Sequence, residues 1–79
     1  MDINQIIQYS MHNKTTLEES PRCACYHCIK IFEPKEIKEW TDNNDTAVCP
    51  FCNIDAVLPE LVGFPFSEDL LHKIHDFWL

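Results

Sequence analysis

CACYHCIKIFEPKEIKEWTDNNDTAVCPFC, residues 23–52, carries two Cys-x-x-Cys units, Cys25 to Cys28 and Cys49 to Cys52, with twenty residues between them. The spacing C-x2-C-x20-C-x2-C lies at the upper edge of that found in four-cysteine zinc sites. Two thiolates three positions apart on a tight turn take two corners of a tetrahedron, and a chain that returns after about twenty residues brings the second pair opposite. One structural zinc ion held by Cys25, Cys28, Cys49 and Cys52 is the expectation.

A disulfide pair would need an oxidising compartment. A redox-active Cys-x-x-Cys would need a strand, a long following helix and a parallel sheet, for which 79 residues leave no room. Iron is the other ion that four thiolates hold. The run C-A-C-Y-H-C offers two further donors, Cys23 and His27, either of which could replace Cys25 or Cys28; the structural alternatives are a buried spare thiol and a solvated imidazole. His72 and His75, three apart near the end of the chain, read as structural residues beside an apolar helix face.

Knuckles of this type often need a positive φ just past the second cysteine, where glycine is usual. Here Ile29 and Asn53 hold those positions. Asparagine adopts that conformation more easily than isoleucine, so an irregular first knuckle is expected. Four thiolates close the coordination shell and leave no position for water, which argues against a metalloenzyme. The zinc deaminase signature is absent: no H-x-E precedes the cysteines, and Pro50 follows Cys49 instead of preceding it. A non-enzymatic protein is the expectation.

Working outward, Arg22 to Phe32 is rich in Cys, Ile and aromatic residues, which suits two short strands flanking the first knuckle. Pro34 sits where a helix could begin, and PKEIKEW predicts one or two helical turns with a solvated charged face. TDNNDT, residues 41–46, is a turn by composition, because Asn and Asp bond their own backbone and tolerate left-handed dihedrals. Thr46 to Val48 then reads as a strand entering the second knuckle, and Asn53 to Leu58 as a helical turn stopped by Pro59.

At the start, Asp2 or Asn4 can cap a helix whose apolar stripe is Ile3, Ile6, Ile7 and Met11. Residues 13–21, NKTTLEESP, read as a polar connector without chemistry. Gly63 and Pro65 punctuate a loop; Ser67 then caps a last helix, with Glu68 and Asp69 at its positive end and Leu70, Leu71, Ile74, Phe77 and Trp78 on one face. The fold class expected is a small α+β metal-stabilised domain, a zinc ribbon or treble-clef-like β-hairpin core with a helix at each end. One domain spans residues 1–79: helix and connector over 1–21, ribbon over 22–58, loop and helix over 59–79. A chain this short buries a modest core, so a metal supplies stability that packing alone would not.

Thirteen acids against six bases give a formal charge of −7. Four thiolates and a divalent ion would take it to about −9. From Glu39 onward eight acids face one base, Lys73, so a phosphate backbone would be repelled there. The opening MDINQIIQYS lacks a basic leader with an apolar core, and no apolar run approaches the ~18 residues of a membrane span. A cytoplasmic protein without membrane attachment is expected.

The run C-x-x-C-x3-F-x-P-x-x-I-x-x-W-x-D, followed by T-A-V-C-P-x-C-x-x-D-A-V-L-P, resembles a group of short bacterial and phage-borne zinc-ribbon proteins. Its matching positions are Cys25, Cys28, Phe32, Pro34, Ile37, Trp40, Asp42, Thr46, Ala47, Cys49, Pro50, Cys52, Asp55, Ala56 and Val57. The likeness runs from about Cys25 to Leu79 and leaves the first helix aside. That group is described only as cytoplasmic, so the resemblance implies a zinc site and a location and no activity.

Two functional classes follow from the residues. The first is a protein-binding adaptor or regulator with an acidic surface, including self-association through an end helix; Trp40, Phe51, Phe64, Phe66, Phe77 and Trp78 are many large apolar residues for so small a domain. The second is a nucleic-acid module using Arg22, Lys30, Lys35 and Lys38 with Tyr26 or Trp40 for stacking, disfavoured by Glu33, Glu36 and Glu39 among those lysines.

Overall fold

A computed structural model describes residues 2–60 and 66–78. The first helix, α1 (Ile3–Gln8), begins at a reciprocal cap: the Gln5 N–H donates to Asp2 Oδ1 and the Asp2 N–H to Gln5 Oε1, both at 2.9 Å. It buries Ile6 and Ile7, half-buries Ile3 and stops before Met11, which is left exposed. The apolar stripe therefore ends at Ile7.

The stretch expected to be a plain connector contains a second helix, α2 (Lys14–Glu18), whose single apolar residue, Leu17, is fully buried. Preceding it, Asn13 is buried and uses its amide on three other segments. Nδ2 donates to the Tyr9 and Val57 carbonyls, each at 2.9 Å, and Oδ1 accepts from the Ala47 N–H at 3.1 Å. All the amide's polar needs are met inside the fold, as burial of such a group requires.

Strands β1 (Cys23–Cys25) and β2 (Lys30–Phe32) form the antiparallel hairpin expected around the first knuckle. The expected helical segment is a single 3-10 turn over Pro34–Glu36 that stops short of Trp40, and the chain then extends into β3 (Glu39–Thr41), which pairs with β4 (Thr46–Val48) in the register Trp40↔Ala47. The connecting turn puts Asp42, Asn43 and Asn44 at φ of 53°, 61° and 64°, the left-handed region that these side chains tolerate. Beyond the second knuckle the expected helical turn is instead a strand, β5 (Val57–Pro59), antiparallel to β1 with Cys25↔Val57 and Cys23↔Pro59 opposite. The larger sheet thus runs β2-β1-β5, and β3-β4 forms a separate hairpin.

Gly63, Phe64 and Pro65 lie outside the described residues. The last helix, α3 (Glu68–Trp78), starts where expected: the Leu70 N–H donates to Ser67 Oγ at 3.1 Å. Leu71 and Ile74 are fully buried and Leu70 half-buried, but Phe77 turns outward with 56% of its surface exposed. The side chain of Trp78 is not among those described. The core joins Ile6, Ile7 and Leu17 to Ala24, Phe32, Leu58, Leu71 and Ile74, so both end helices pack onto the ribbon. The architecture is a small α+β, zinc-ribbon-like fold. No helix among the described residues is long and apolar enough to cross a membrane.

Candidate metal centre

The two hairpins each present a Cys-x-x-Cys knuckle, and the four sulfurs of Cys25, Cys28, Cys49 and Cys52 lie within 4.8 Å of one another. Cys25 Sγ is 3.6 Å from Cys52 Sγ, and Cys28 Sγ is 3.7 Å from Cys49 Sγ. A tetrahedron of thiolates about 2.3 Å from a central ion has edges of about 3.8 Å, so these separations suit one four-coordinate metal. They are far longer than the ~2.05 Å of a disulfide. Cys25 and Cys49 are buried while Cys28 and Cys52 are half-buried, leaving one side of the cluster nearer to solvent.

Each knuckle is built from the same local bonds. In the first, the Ile29 N–H donates to the Cys25 carbonyl at 3.0 Å and the His27 N–H to Cys25 Sγ at 3.4 Å. In the second, the Asn53 N–H donates to the Cys49 carbonyl at 2.9 Å and the Phe51 N–H to Cys49 Sγ at 3.4 Å. The residue past the second cysteine takes φ of 60° at Ile29 and 62° at Asn53. The expected irregularity of the first knuckle is therefore absent. Half-burial of the Ile29 side chain against the core offsets the cost of a β-branched residue in this conformation.

The segment after the second knuckle ties the halves together. The Cys49 N–H donates to the Ile54 carbonyl at 2.9 Å, and the Tyr26 N–H to the Ala56 carbonyl at 3.1 Å. One short run of chain thus bonds to both knuckles before it enters β5.

The thiols respond differently to their surroundings. Burial pushes Cys25 well above the ordinary range and Cys28 up to about 11; backbone N–H donors oppose the rise at Cys25 and the Cys25 sulfur opposes it at Cys28, while Cys49 adds to it at both. At Cys49 burial also acts upward, but N–H donors from Phe51 and Cys52 together with the facing Cys28 and Cys25 outweigh it, and the value falls. Without a metal, Cys49 thus gives up its proton more readily than Cys25 or Cys28. A divalent ion would displace the remaining protons.

Neither alternative donor joins the cluster. Cys23 is fully buried in β1 and its thiol donates to the Phe32 carbonyl at 3.5 Å; burial, then Glu36 and Cys49, push it up to about 12. His27 is exposed and contributes its backbone N–H, while its ring lies 6.1 Å from that of His75 on α3. His72 is exposed on the same helix. Among the described residues no other set of three His, Cys, Asp or Glu donors converges.

Asn13 is the residue the sequence reading passed over. It reaches the carbonyl of Val57 in β5 and the N–H of Ala47 in β4, the strands flanking the second knuckle, and so fixes the spacing of the two hairpins. The available signal was an Asn immediately before a short polar run with one apolar residue, Leu17, at its centre. No protein-family model, curated protein or solved structure matches the chain.

Proposed function

We propose that this chain is a cytoplasmic, non-enzymatic adaptor or regulator: a scaffold stapled by one zinc ion that presents an acidic surface to a protein partner. The observation that carries the reading is the convergence of four sulfurs at tetrahedral separations, which uses every coordination position for structure and none for catalysis. The resemblance to short bacterial and phage-borne zinc-ribbon proteins points the same way.

Eleven of the thirteen acids are exposed, and the other two, Asp45 and Glu60, are half-buried. Most of the bases are engaged locally. Arg22 pairs with Glu60 and lies over Phe66, Lys35 pairs with Glu33 at 3.1 Å, Lys14 covers Trp40 at 5.2 Å and Lys30 covers Phe51 at 5.1 Å. Tyr26, the other stacking candidate, is buried. These contacts weaken the nucleic-acid reading by occupying both its charges and its aromatic faces.

The test has two steps. Native mass spectrometry of the purified protein is expected to give one zinc per chain, lost on Cys49→Ser. Affinity capture from the host, followed by titration of each recovered protein as a purified component, is expected to yield a direct complex that weakens with added salt. Absence of any direct protein complex, with steep salt-dependent binding of oligonucleotides, would replace the adaptor by a nucleic-acid module.

A further inference from the structure

An open apolar groove of about 460 Å³ runs between α1 and α3. Ile3 and Ile6 form one wall, Leu70 and Phe77 the other, with Asp2 and Lys73 among the lining residues. Leu70 and Phe77 are seven positions apart, so they lie on one face of α3 about 10 Å from each other along its axis. Ile3 and Leu70 are only half-buried, and Phe77 is 56% exposed.

The charges at this groove narrow the choice of occupant. Neither Asp2 nor Lys73 forms an ion pair among the described residues. Asp2 uses Oδ1 for the α1 cap, and Lys73 is the one base after Glu39. A complementary surface must offer an acid to Lys73, a base to Asp2 and an apolar knob to the floor. The groove itself carries all three. In a twofold interface residue i of one copy meets residue j of the other and j meets i, so a patch with an unpaired acid, an unpaired base and a protruding ring is self-complementary.

We infer that the α1–α3 groove is covered by a second copy of this chain in a twofold dimer, with Phe77 of each copy seated in the groove of the other and Lys73 opposite Asp2. This assembly is independent of any partner met by the acidic surface.

Sedimentation equilibrium of the metal-loaded full chain, from micromolar to millimolar, tests it. A reversible monomer–dimer equilibrium is expected, weakened about tenfold or more by Phe77→Asp, as for an anchor at the centre of an interface. Asp2→Asn keeps a good helix cap and removes the charge. Asp2→Asn and Lys73→Met should each weaken the dimer, and the double variant should be no weaker than the worse single one, because both remove the same contact. Metal content and helical circular dichroism are expected to stay constant throughout. A monomer up to millimolar concentration would overturn the inference and leave the groove to a foreign chain. So would a dimer indifferent to Phe77→Asp, or open-ended growth beyond the dimer.

Discussion

A β-branched L-residue at φ near 60° places its Cβ against the following carbonyl, at a cost of roughly 1–2 kcal/mol. Ile29 and Asn53 sit in equivalent places, yet only Ile29 is half-buried while Asn53 is exposed. Asn53→Val therefore adds strain with no compensating burial and should lower stability by about 1 kcal/mol, whereas Asn53→Gly should be neutral or slightly stabilising; thermal unfolding of the metal-loaded protein distinguishes them. A melting temperature unchanged by valine would show that the knuckle does not enforce the dihedral.

The buried thiol of Cys23 gives a second measurement at this scale. Its value rises from an ordinary 9.0 to about 12, so the folded state holds the proton more tightly than the unfolded chain does. The associated stabilisation is complete below about pH 9 and is lost as pH climbs toward about 12, at up to roughly 1.4 kcal/mol per pH unit. Cys23→Ala should retain one metal per chain and show a shallower alkaline loss of stability in urea unfolding at matched metal loading. If the slopes coincide, the thiol does not titrate with unfolding.

Between elements, Asn13 and Leu17 bind the first twenty residues to the ribbon. Leu17→Ala should cost about 2–4 kcal/mol as a large-to-small core change. Asn13→Asp is nearly isosteric but cannot donate to both the Tyr9 and Val57 carbonyls, and about 2–3 kcal/mol should be lost in chemical denaturation. An unaltered midpoint for either variant would mean that the first two helices add no stability.

These are also the elements the sequence concealed. The knuckles, the Asn-rich turn and the capped last helix were legible because each is written in local chemistry: ligand spacing, left-handed tolerance and an N-cap before acidic residues. Val57 to Pro59 has no alternation to mark it, and it becomes a strand because β1 offers an edge; Pro59 is tolerated opposite Cys23 because that position donates nothing to β1, the next bond running from the Glu60 N–H to the Arg22 carbonyl at 3.2 Å. Trp40 looked like the next step of a helical stripe from Ile37, but pairing opposite Ala47 draws it into β3. Asn13 was hidden because two of its three partners, Val57 and Ala47, come from distant parts of the chain. The four cysteines were visible individually, whereas the brace that holds their hairpins apart was not.

At the scale of the whole molecule, the described residues form a body of 28 × 24 × 19 Å whose core has the cysteine cluster within it. A structural zinc contributes on the order of 10 kcal/mol of folding free energy, comparable to the whole stability of a small domain. Strong chelation should therefore abolish the cooperative thermal transition and the dispersion of amide resonances, and a chelated chain that still unfolded sharply would refute this dependence. A free thiol titrates at about 8.5 and burial in the fold only raises Cys25 and Cys28 further, so both are protonated near neutrality whether or not the metal-free chain is folded, and binding releases at least two protons. Apparent affinity should rise by about a hundredfold per pH unit through neutrality in chelator competition, and a flat profile would exclude these thiols as ligands.

Ile54 and Ala56, whose carbonyls are bonded to opposite knuckles, make half-assembled coordination unfavourable: a chain that grips an ion with one pair of sulfurs has already drawn the other pair into range. Titration with less than one equivalent should accordingly partition the sample into fully loaded and empty molecules, seen as two sets of resonances in slow exchange, rather than a continuum of partly liganded species.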